Sequence, residues 1–191
     1  MILLETRGND IMDIEKVKIA LPKIEKGLNR YLHIMDRFNK VDVSKNKEFQ
    51  RKYNGFYKMR QRKPEYYEMY FSFMEENKNK DTSFEEILKY LYDNLNRMEA
   101  SFSSKLLATL NPNKPVWDEF VLKNLNLKKP YTYSKDRFNK TVNLYYKIEH
   151  WYKDFLKTND SKEMLELFNE YYPAKGITDI KKIDLILWQM R

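Results

Sequence analysis

The chain has 191 residues, of which 42% are hydrophobic and 34% are charged, a balance typical of a folded globular domain. Its formal net charge of +8 favours polyanionic partners, although abundant Lys, Asn, Tyr and Ile are also typical of AT-rich coding DNA. The absence of cysteine excludes disulfides, thiolate metal sites and a cysteine nucleophile. Because His33 and His150 are too far apart for a helical metal-ligand spacing, we expect neither a metal site nor a cofactor.

No run of the sequence approaches the roughly 20 apolar residues that cross a bilayer. Residues 1–13 also carry acids where a secretory signal has an uninterrupted apolar stretch. We therefore expect no membrane segment, no export signal and a cytoplasmic location.

Four glycines and six prolines are too few to turn the corners of a many-stranded sheet. We predict an all-α fold, a compact multi-helix single domain over residues 1–191, with room for two helical lobes and a cleft between them. In chain order, the apolar periodicity predicts helices near residues 12–39 with a break at Pro22, 45–61, 64–77, 84–95, 101–110, 116–125, 135–157, 161–171 and 178–190. Ser83 and Glu86 have the spacing of a capping box at the start of the fourth helix.

The first helix is highly charged, and its apolar residues recur in approximate heptad phase: Ile14, Val17, Leu21, Ile24, Leu28 and Tyr31. One interpretation of this pattern is a separate N-terminal helix over residues 1–39, ahead of a globular body over residues 40–191, that self-associates through its apolar face. The pattern favours the other interpretation, a surface helix laid across the domain, because Pro22 and Gly27 interrupt the phase.

Residues 45–63 contain eight basic residues, one acid and four aromatics. This composition predicts a nucleic-acid surface, in which cations neutralise phosphates and an aromatic ring stacks on an exposed base. The residues expected to bind are Arg51, Lys52, Tyr53, Tyr57, Lys58, Arg60 and Arg62. In the alternative interpretation the aromatics at helical spacing, Phe49, Tyr53, Phe56 and Tyr57, belong to the core and the lysines form a solvated face.

Residues 99–125 combine a small-residue helix start, a lysine within an apolar helix, a proline-flanked loop and an aspartate that opens the next helix. Ser101, Ser103 and Ser104 would leave backbone amides open to a phosphate. Lys105, if desolvated, could act as a nucleophile toward a sugar C1′. Asp118 could stabilise positive charge on the sugar or relay a proton.

The run SFSSKLL, followed by NPNKPVWDEFV, resembles the centre of the helix-hairpin-helix DNA glycosylase superfamily over about thirty residues. The resemblance implies an all-helical enzyme whose lysine attacks C1′ of a nucleotide flipped out of the duplex, assisted by an aspartate. It assigns Lys105 as the attacking amine and Asp118 as the acidic partner. Since the chain has no glycine between Gly55 and Gly176, Ser101, Ser103 and Ser104 would replace the family's glycine-containing hairpin.

One alternative to this assignment stays open at the level of the sequence. Lys105 could be an ordinary surface lysine on an amphipathic helix, with Asp118 a simple helix-start acid. Asp184 lies within the apolar face of the last helix, and we expect a basic residue or a helix terminus to partner its carboxylate.

The leading prediction is therefore a DNA-binding protein that resembles a DNA glycosylase/AP lyase acting on damaged or modified bases. The alternatives are a non-catalytic nucleic-acid-binding module and a helical protein-interaction module.

Overall fold

The structure of the protein, a computed structural model, describes residues 13–173 and 175–190. Residues 1–12 lie outside this range. They include most of the segment on which the prediction of no export signal was based. Over the described residues the chain is all-helical without a β-strand, which confirms the predicted fold class. The α-helices are α1 Ile14–Ala20, α2 Glu25–Phe38, α3 Lys47–Phe56, α4 Pro64–Glu76, α5 Phe84–Leu95, α6 Ala100–Leu110, α7 Glu119–Asn124, α8 Arg137–Phe155, α9 Asn159–Tyr171 and α10 Asp179–Gln189.

Several helices begin where a polar side chain satisfies a free backbone amide. Asn46 Oδ1 accepts from the Phe49 N–H at 2.8 Å at the start of α3. At α5 the predicted capping box is confirmed, with the Ser83 hydroxyl and the Glu86 carboxylate each accepting from the other residue's amide. Such caps typically stabilise a helix by about 1 kcal/mol, so these starts are determined locally.

Two predicted helices are shorter in the structure, for local reasons. The helix predicted over residues 45–61 ends at Phe56, because Lys58 and Gln61 adopt left-handed backbone conformations with φ of 55° and 57°. The helix predicted over residues 116–125 begins only at Glu119, because Asp118 is its extended N-cap. As a result, Lys58 and residues 116–118 are loop residues, and they line the same cavity.

The apolar face of the N-terminal segment is packed inside the chain. α1 leads into a short 3-10 turn, Leu21–Lys23, at the predicted break, and this region contacts α9 and α10. Its core residues are Val17, Leu21, Ile24, Leu28 and Tyr31, each at most 2% exposed. Burial of each such side chain contributes roughly 1.5–3 kcal/mol. The predicted pairing of this face with a partner helix is therefore corrected, since the face is occupied by the chain's own core.

α6 runs through the interior of the molecule. Every residue from Ser103 to Thr109 is buried, and α6 packs against α5, which in turn contacts α8. α10 contacts both α7 and α9, and residues of α6, α7 and α10 line one cavity. A polar side chain on α6 is therefore held inside the protein and away from bulk water.

Candidate active site

A cavity of about 370 Å³ lies between α6, α7, α10 and the end of α3. Its aromatic lining residues are Phe56, Tyr57, Phe102, Trp117, Phe120 and Trp188. Its charged lining residues are Lys58, Lys105, Asp118, Glu119, Lys129, Lys181 and Asp184. The volume and the mixture of aromatic walls with a few charged groups are those of small-molecule sites in proteins.

Lys105 is one of two buried lysines of this cavity and is only 9% exposed; the other, Lys181, is paired with Asp184. Its Nζ lies 5.0 Å from the centroid of the Phe102 ring, and among the described residues it makes no hydrogen bond or ion pair. The alternative interpretation of Lys105 as an ordinary surface lysine is therefore wrong, because α6 is a central helix.

The surroundings of Lys105 favour its neutral amine. Burial lowers the pKa of Lys105, because a charged ammonium loses its hydration there. The carboxylates of Asp118 and Glu119 oppose this change and raise the pKa, whereas the cations Lys58 and Lys129 lower it further. The net direction is a pKa below the ordinary lysine value, as nucleophilic catalysis by an amine requires.

Asp118 lies in the wall of the same cavity, at the N-cap of α7. Its Oδ1 accepts from the Phe120 N–H at 3.1 Å, which orients the carboxylate. Among the described residues it makes no direct ion pair with Lys105, although its charge acts on the Lys105 pKa. The structure thus brings the two predicted catalytic side chains to one cavity and leaves space between them.

The loop that precedes Asp118, residues 111–117, forms hydrogen bonds with the core. The Trp117 N–H donates to Ser104 Oγ at 2.8 Å, and the Tyr145 hydroxyl donates to the Pro115 carbonyl at 3.0 Å. These contacts join the loop to α6 and α8. The position of Asp118 relative to Lys105 is therefore determined by buried contacts on both sides of the loop.

The serines predicted to contact phosphate have a different role. Ser103 and Ser104 are fully buried, and their hydroxyls donate to the carbonyls of Glu99 and Ser101. Of the three serines, only Ser101 lines the cavity. The prediction that Ser103 and Ser104 bind phosphate is corrected, because hydroxyls inside the core cannot reach a nucleic-acid backbone.

A carboxylate of the protein itself lies at the start of α6. Glu99 is the N-cap residue, is 8% exposed, and pairs with Arg62 at 3.2 Å and with Arg97 at 3.0 Å. A phosphate at this helix start would meet the Glu99 carboxylate. Arg62, predicted to bind nucleic acid, is thus engaged in an internal ion pair, and its guanidinium also lies over the Tyr66 and Phe102 rings.

The aromatics of residues 45–63 belong to the core. Tyr53 is fully buried and Tyr57 is 6% exposed, and the two hydroxyls of Tyr53 and Tyr70 are 2.9 Å apart. The prediction that Tyr53 stacks on a base is corrected in favour of the alternative core interpretation. Tyr57 is a core residue whose remaining surface contributes to the cavity wall.

Four of the predicted basic residues remain on the surface: Arg51, Lys52, Lys58 and Arg60. Lys52 and Arg60 line a groove of about 740 Å³ between α2 and α3, together with Lys26, Arg30 and His33. Lys52 Nζ lies 2.9 Å from His33 Nε2. Phe56 lines both this groove and the Lys105 cavity, so the two are adjacent.

Asp184 has the basic partner that the sequence predicted. Lys181 Nζ lies 3.1 Å from Asp184 Oδ2, and the Tyr152 hydroxyl donates to Oδ1 at 2.5 Å. Burial raises the pKa of Asp184, while Lys181, the Tyr152 hydroxyl and the Val116 amide oppose the rise. Lys181 and Asp184 also line the cavity, a position that the residue pattern of α10 does not reveal.

Other residues of the cavity were not predicted from the sequence. Phe102, Trp117 and Trp188 come from three separate segments, and Lys129 belongs to the loop after α7. The local signals were the adjacency of Trp117 to Asp118 and the position of Phe102 one helical turn before Lys105. These residues share a site only because α10 and the two loops meet over α6.

Within residues 13–173 and 175–190, no group of three or more His, Cys, Asp and Glu side chains is placed to hold a metal ion. None of the helices in this part of the chain has the length and apolar character of a membrane span.

Comparison of the chain with models of known protein families, with curated proteins and with solved structures finds no match in any of the three. The resemblance to the helix-hairpin-helix glycosylases therefore remains a prediction drawn from about thirty residues.

Proposed function

We propose that the protein binds DNA and acts on a nucleotide held in the Lys105 cavity, as a DNA glycosylase/AP lyase does. The observation that carries the proposal is the Lys105 side chain, which is 9% exposed and makes no hydrogen bond among the described residues, in a cavity that also contains Asp118. A desolvated amine with a lowered pKa is suited to attack an electrophilic carbon.

In this mechanism the neutral Lys105 amine attacks C1′ of the sugar. The bond between C1′ and the base breaks, and the base leaves with the electron pair and takes up a proton. One amine proton neutralises the charge on the departing base; the C1′–O4′ bond then breaks, O4′ takes up the second proton from nitrogen as a hydroxyl, and a neutral imine is left between Lys105 and C1′. At a site that has already lost its base, the amine instead condenses with the C1′ aldehyde and releases water.

Asp118 is assigned an electrostatic role. Positive charge develops on the sugar as the base departs, and a carboxylate fixed in the cavity wall stabilises that charge without reorganising. Aromatic walls such as Phe102 and Trp117 offer flat apolar surfaces to an extruded nucleotide. The exposed cations of the α2/α3 groove attract the phosphate backbone electrostatically. The start of α6, which carries the Glu99 carboxylate, does not.

The test is reductive trapping with borohydride on oligonucleotides that contain an abasic or damaged nucleotide. Borohydride reduces the imine to a stable secondary amine, so wild-type protein is expected to form a covalent adduct with DNA. The adduct should disappear in Lys105→Met, which keeps the apolar stem but lacks the amine. The control is Lys89→Ala, which removes an exposed lysine paired with Asp93 on α5 and should leave trapping unchanged.

Absence of an adduct from the wild-type protein on every such substrate would refute the lyase proposal. An adduct that persists in Lys105→Met would assign the chemistry to another amine. Peptide mapping of the wild-type adduct locates the modified lysine directly.

A second candidate, a non-catalytic nucleic-acid-binding module, is favoured by the groove between α2 and α3. Its exposed lining includes Lys26, Arg30, Lys52 and Arg60, against the single acid Glu25. In this case oligonucleotide affinity falls steeply with salt and is the same in wild type and Lys105→Met. Binding together with the absence of an adduct selects this function over the enzyme.

A further inference from the structure

Two tyrosine rings project into solvent from the loop between α7 and α8. Tyr131 is 67% exposed and Tyr133 is 84% exposed, the two highest values among the exposed large hydrophobic side chains of the described residues. Their rings are nearly parallel, at 7°, with centroids 5.5 Å apart. They therefore stack on each other and contribute little to the core.

The tyrosines lie close to the Lys105 cavity. Lys129 lines that cavity, and its Nζ pairs with Glu119 at 2.6 Å, which holds the loop against the start of α7. Tyr131 follows Lys129 by two residues, so their Cα atoms are at most roughly 7 Å apart. The exposed aromatic pair therefore lies near the part of the cavity wall that Lys129 contributes.

The charge around the pair favours a polyanionic ligand. Lys128, Lys129, Lys135 and Arg137 flank the tyrosines, with Asp136 as the only acid of residues 128–137. Lys128 and Lys135 are exposed and make no ion pair within the described part of the chain. A nucleic-acid strand satisfies both features, because its bases have flat π faces and its backbone carries the negative charge.

We propose that Tyr131 and Tyr133 form a stacking site for an unpaired nucleobase next to the Lys105 cavity. The preferred ligand then contains a single-stranded or gapped segment, whose unstacked base packs on the tyrosines while the flanking lysines contact phosphates. The position beside the cavity rests on the proposed function, but stacking itself requires no reaction at Lys105.

The test measures binding of full-length protein to three oligonucleotides of one sequence: single-stranded, duplex with a one-nucleotide gap, and fully paired. The base expected to stack is replaced by 2-aminopurine, whose fluorescence is quenched by stacking. Wild-type protein should quench the single-stranded and gapped probes. The double variant Tyr131→Ala/Tyr133→Ala should lose the quenching and weaken binding to these two probes by about tenfold or more, the effect of losing one stacked base.

Two controls separate stacking from other roles. Tyr131→Phe/Tyr133→Phe keeps both rings and should bind as wild type does, whereas a phosphate contact through the hydroxyls would be lost. Tyr171→Ala removes an exposed tyrosine on α9 that also neighbours a second tyrosine, Tyr172, and should bind normally.

The proposal is overturned if the double alanine variant binds and quenches as wild type, or if it loses affinity equally for the fully paired probe. It is also overturned if the tyrosines instead govern binding to anionic lipid vesicles, with no effect on oligonucleotides. Trapping at Lys105 that persists in the double variant on saturating DNA leaves the proposed enzyme intact, so the two proposals fail separately.

Discussion

Replacement of Ser104 by alanine tests whether this residue holds the site together from within or contacts a ligand. Ser104 Oγ is fully buried, accepts the Trp117 N–H at 2.8 Å and donates to the Ser101 carbonyl. Ser104→Ala removes the acceptor and leaves the Trp117 amide inside the protein without its partner. The loop that carries Asp118 then loses its hydrogen bond to α6.

The magnitude follows from the cost of leaving a buried donor unsatisfied, about 1–3 kcal/mol. For a chain of this length each kcal/mol lowers Tm by roughly 2–4 °C, so we expect a decrease of about 2–12 °C. Ser103→Ala is the matched control, because Ser103 is equally buried and lies on the same helix. Its hydroxyl donates to the Glu99 carbonyl. In Ser103→Ala this carbonyl still accepts a hydrogen bond from the backbone N–H of residue 103, 2.8 Å away. Ser103→Ala should be nearly neutral, since the better helix propensity of alanine offsets the lost bond.

Urea unfolding of both variants measures the free-energy differences, with an unchanged m value indicating that the folded and unfolded states expose similar surface. Equal stability of Ser103→Ala and Ser104→Ala would refute the structural role of the Trp117 hydrogen bond. Wild-type stability of Ser104→Ala combined with reduced affinity for DNA would restore the interpretation of Ser104 as a phosphate contact.

Three further predictions concern charged groups. Asp118→Asn should shift the pH profile of adduct formation to lower pH, because the Asp118 carboxylate raises the pKa of Lys105 and its removal lets the amine deprotonate earlier; the rate of borohydride trapping against pH measures this. Asp184→Ala should destabilise the fold by about 3–5 kcal/mol in urea unfolding, since Lys181 would remain buried without its counter-ion, whereas Lys181→Met/Asp184→Leu should cost much less. Arg30→Glu should weaken oligonucleotide binding and reduce the slope of log affinity against log salt concentration by about one, if Arg30 contacts a phosphate in the groove.

For each of these three predictions, a specific result would contradict the proposed physical cause. An unchanged or upward pH midpoint in Asp118→Asn would mean that its charge does not act on the amine. A double variant at Lys181 and Asp184 as unstable as the single one would assign the cost to lost packing. Lys89→Glu makes the same type of charge reversal at an exposed position of α5, outside the groove. An equal loss of affinity in this variant would mean that Arg30→Glu acts only through the net charge of the protein.

The helices are predictable from the amino-acid sequence, because the signals that specify them are local. Ser83 with Glu86 at α5 and the apolar spacing of residues 84–95 involve contacts within one or two turns, and the structure has that helix at the predicted bounds. The small errors arose where single residues left the helical conformation, as at Lys58. The partner of Asp184 was predictable for the same reason, since Lys181 lies three residues away on the same helix face.

Which apolar faces are buried and which side chains remain exposed depends on the tertiary structure. Periodicity cannot distinguish a tyrosine in the core from one on the surface, so Tyr53 was predicted as a stacking residue although it is buried, and the exposure of Tyr131 and Tyr133 was not predicted. The burial of Lys105 depends on α10 and on loops far away in the chain, and the lowered pKa follows from that burial. Motif spacing thus identified a lysine and an aspartate, whereas their meeting in one cavity is a consequence of long-range packing around α6.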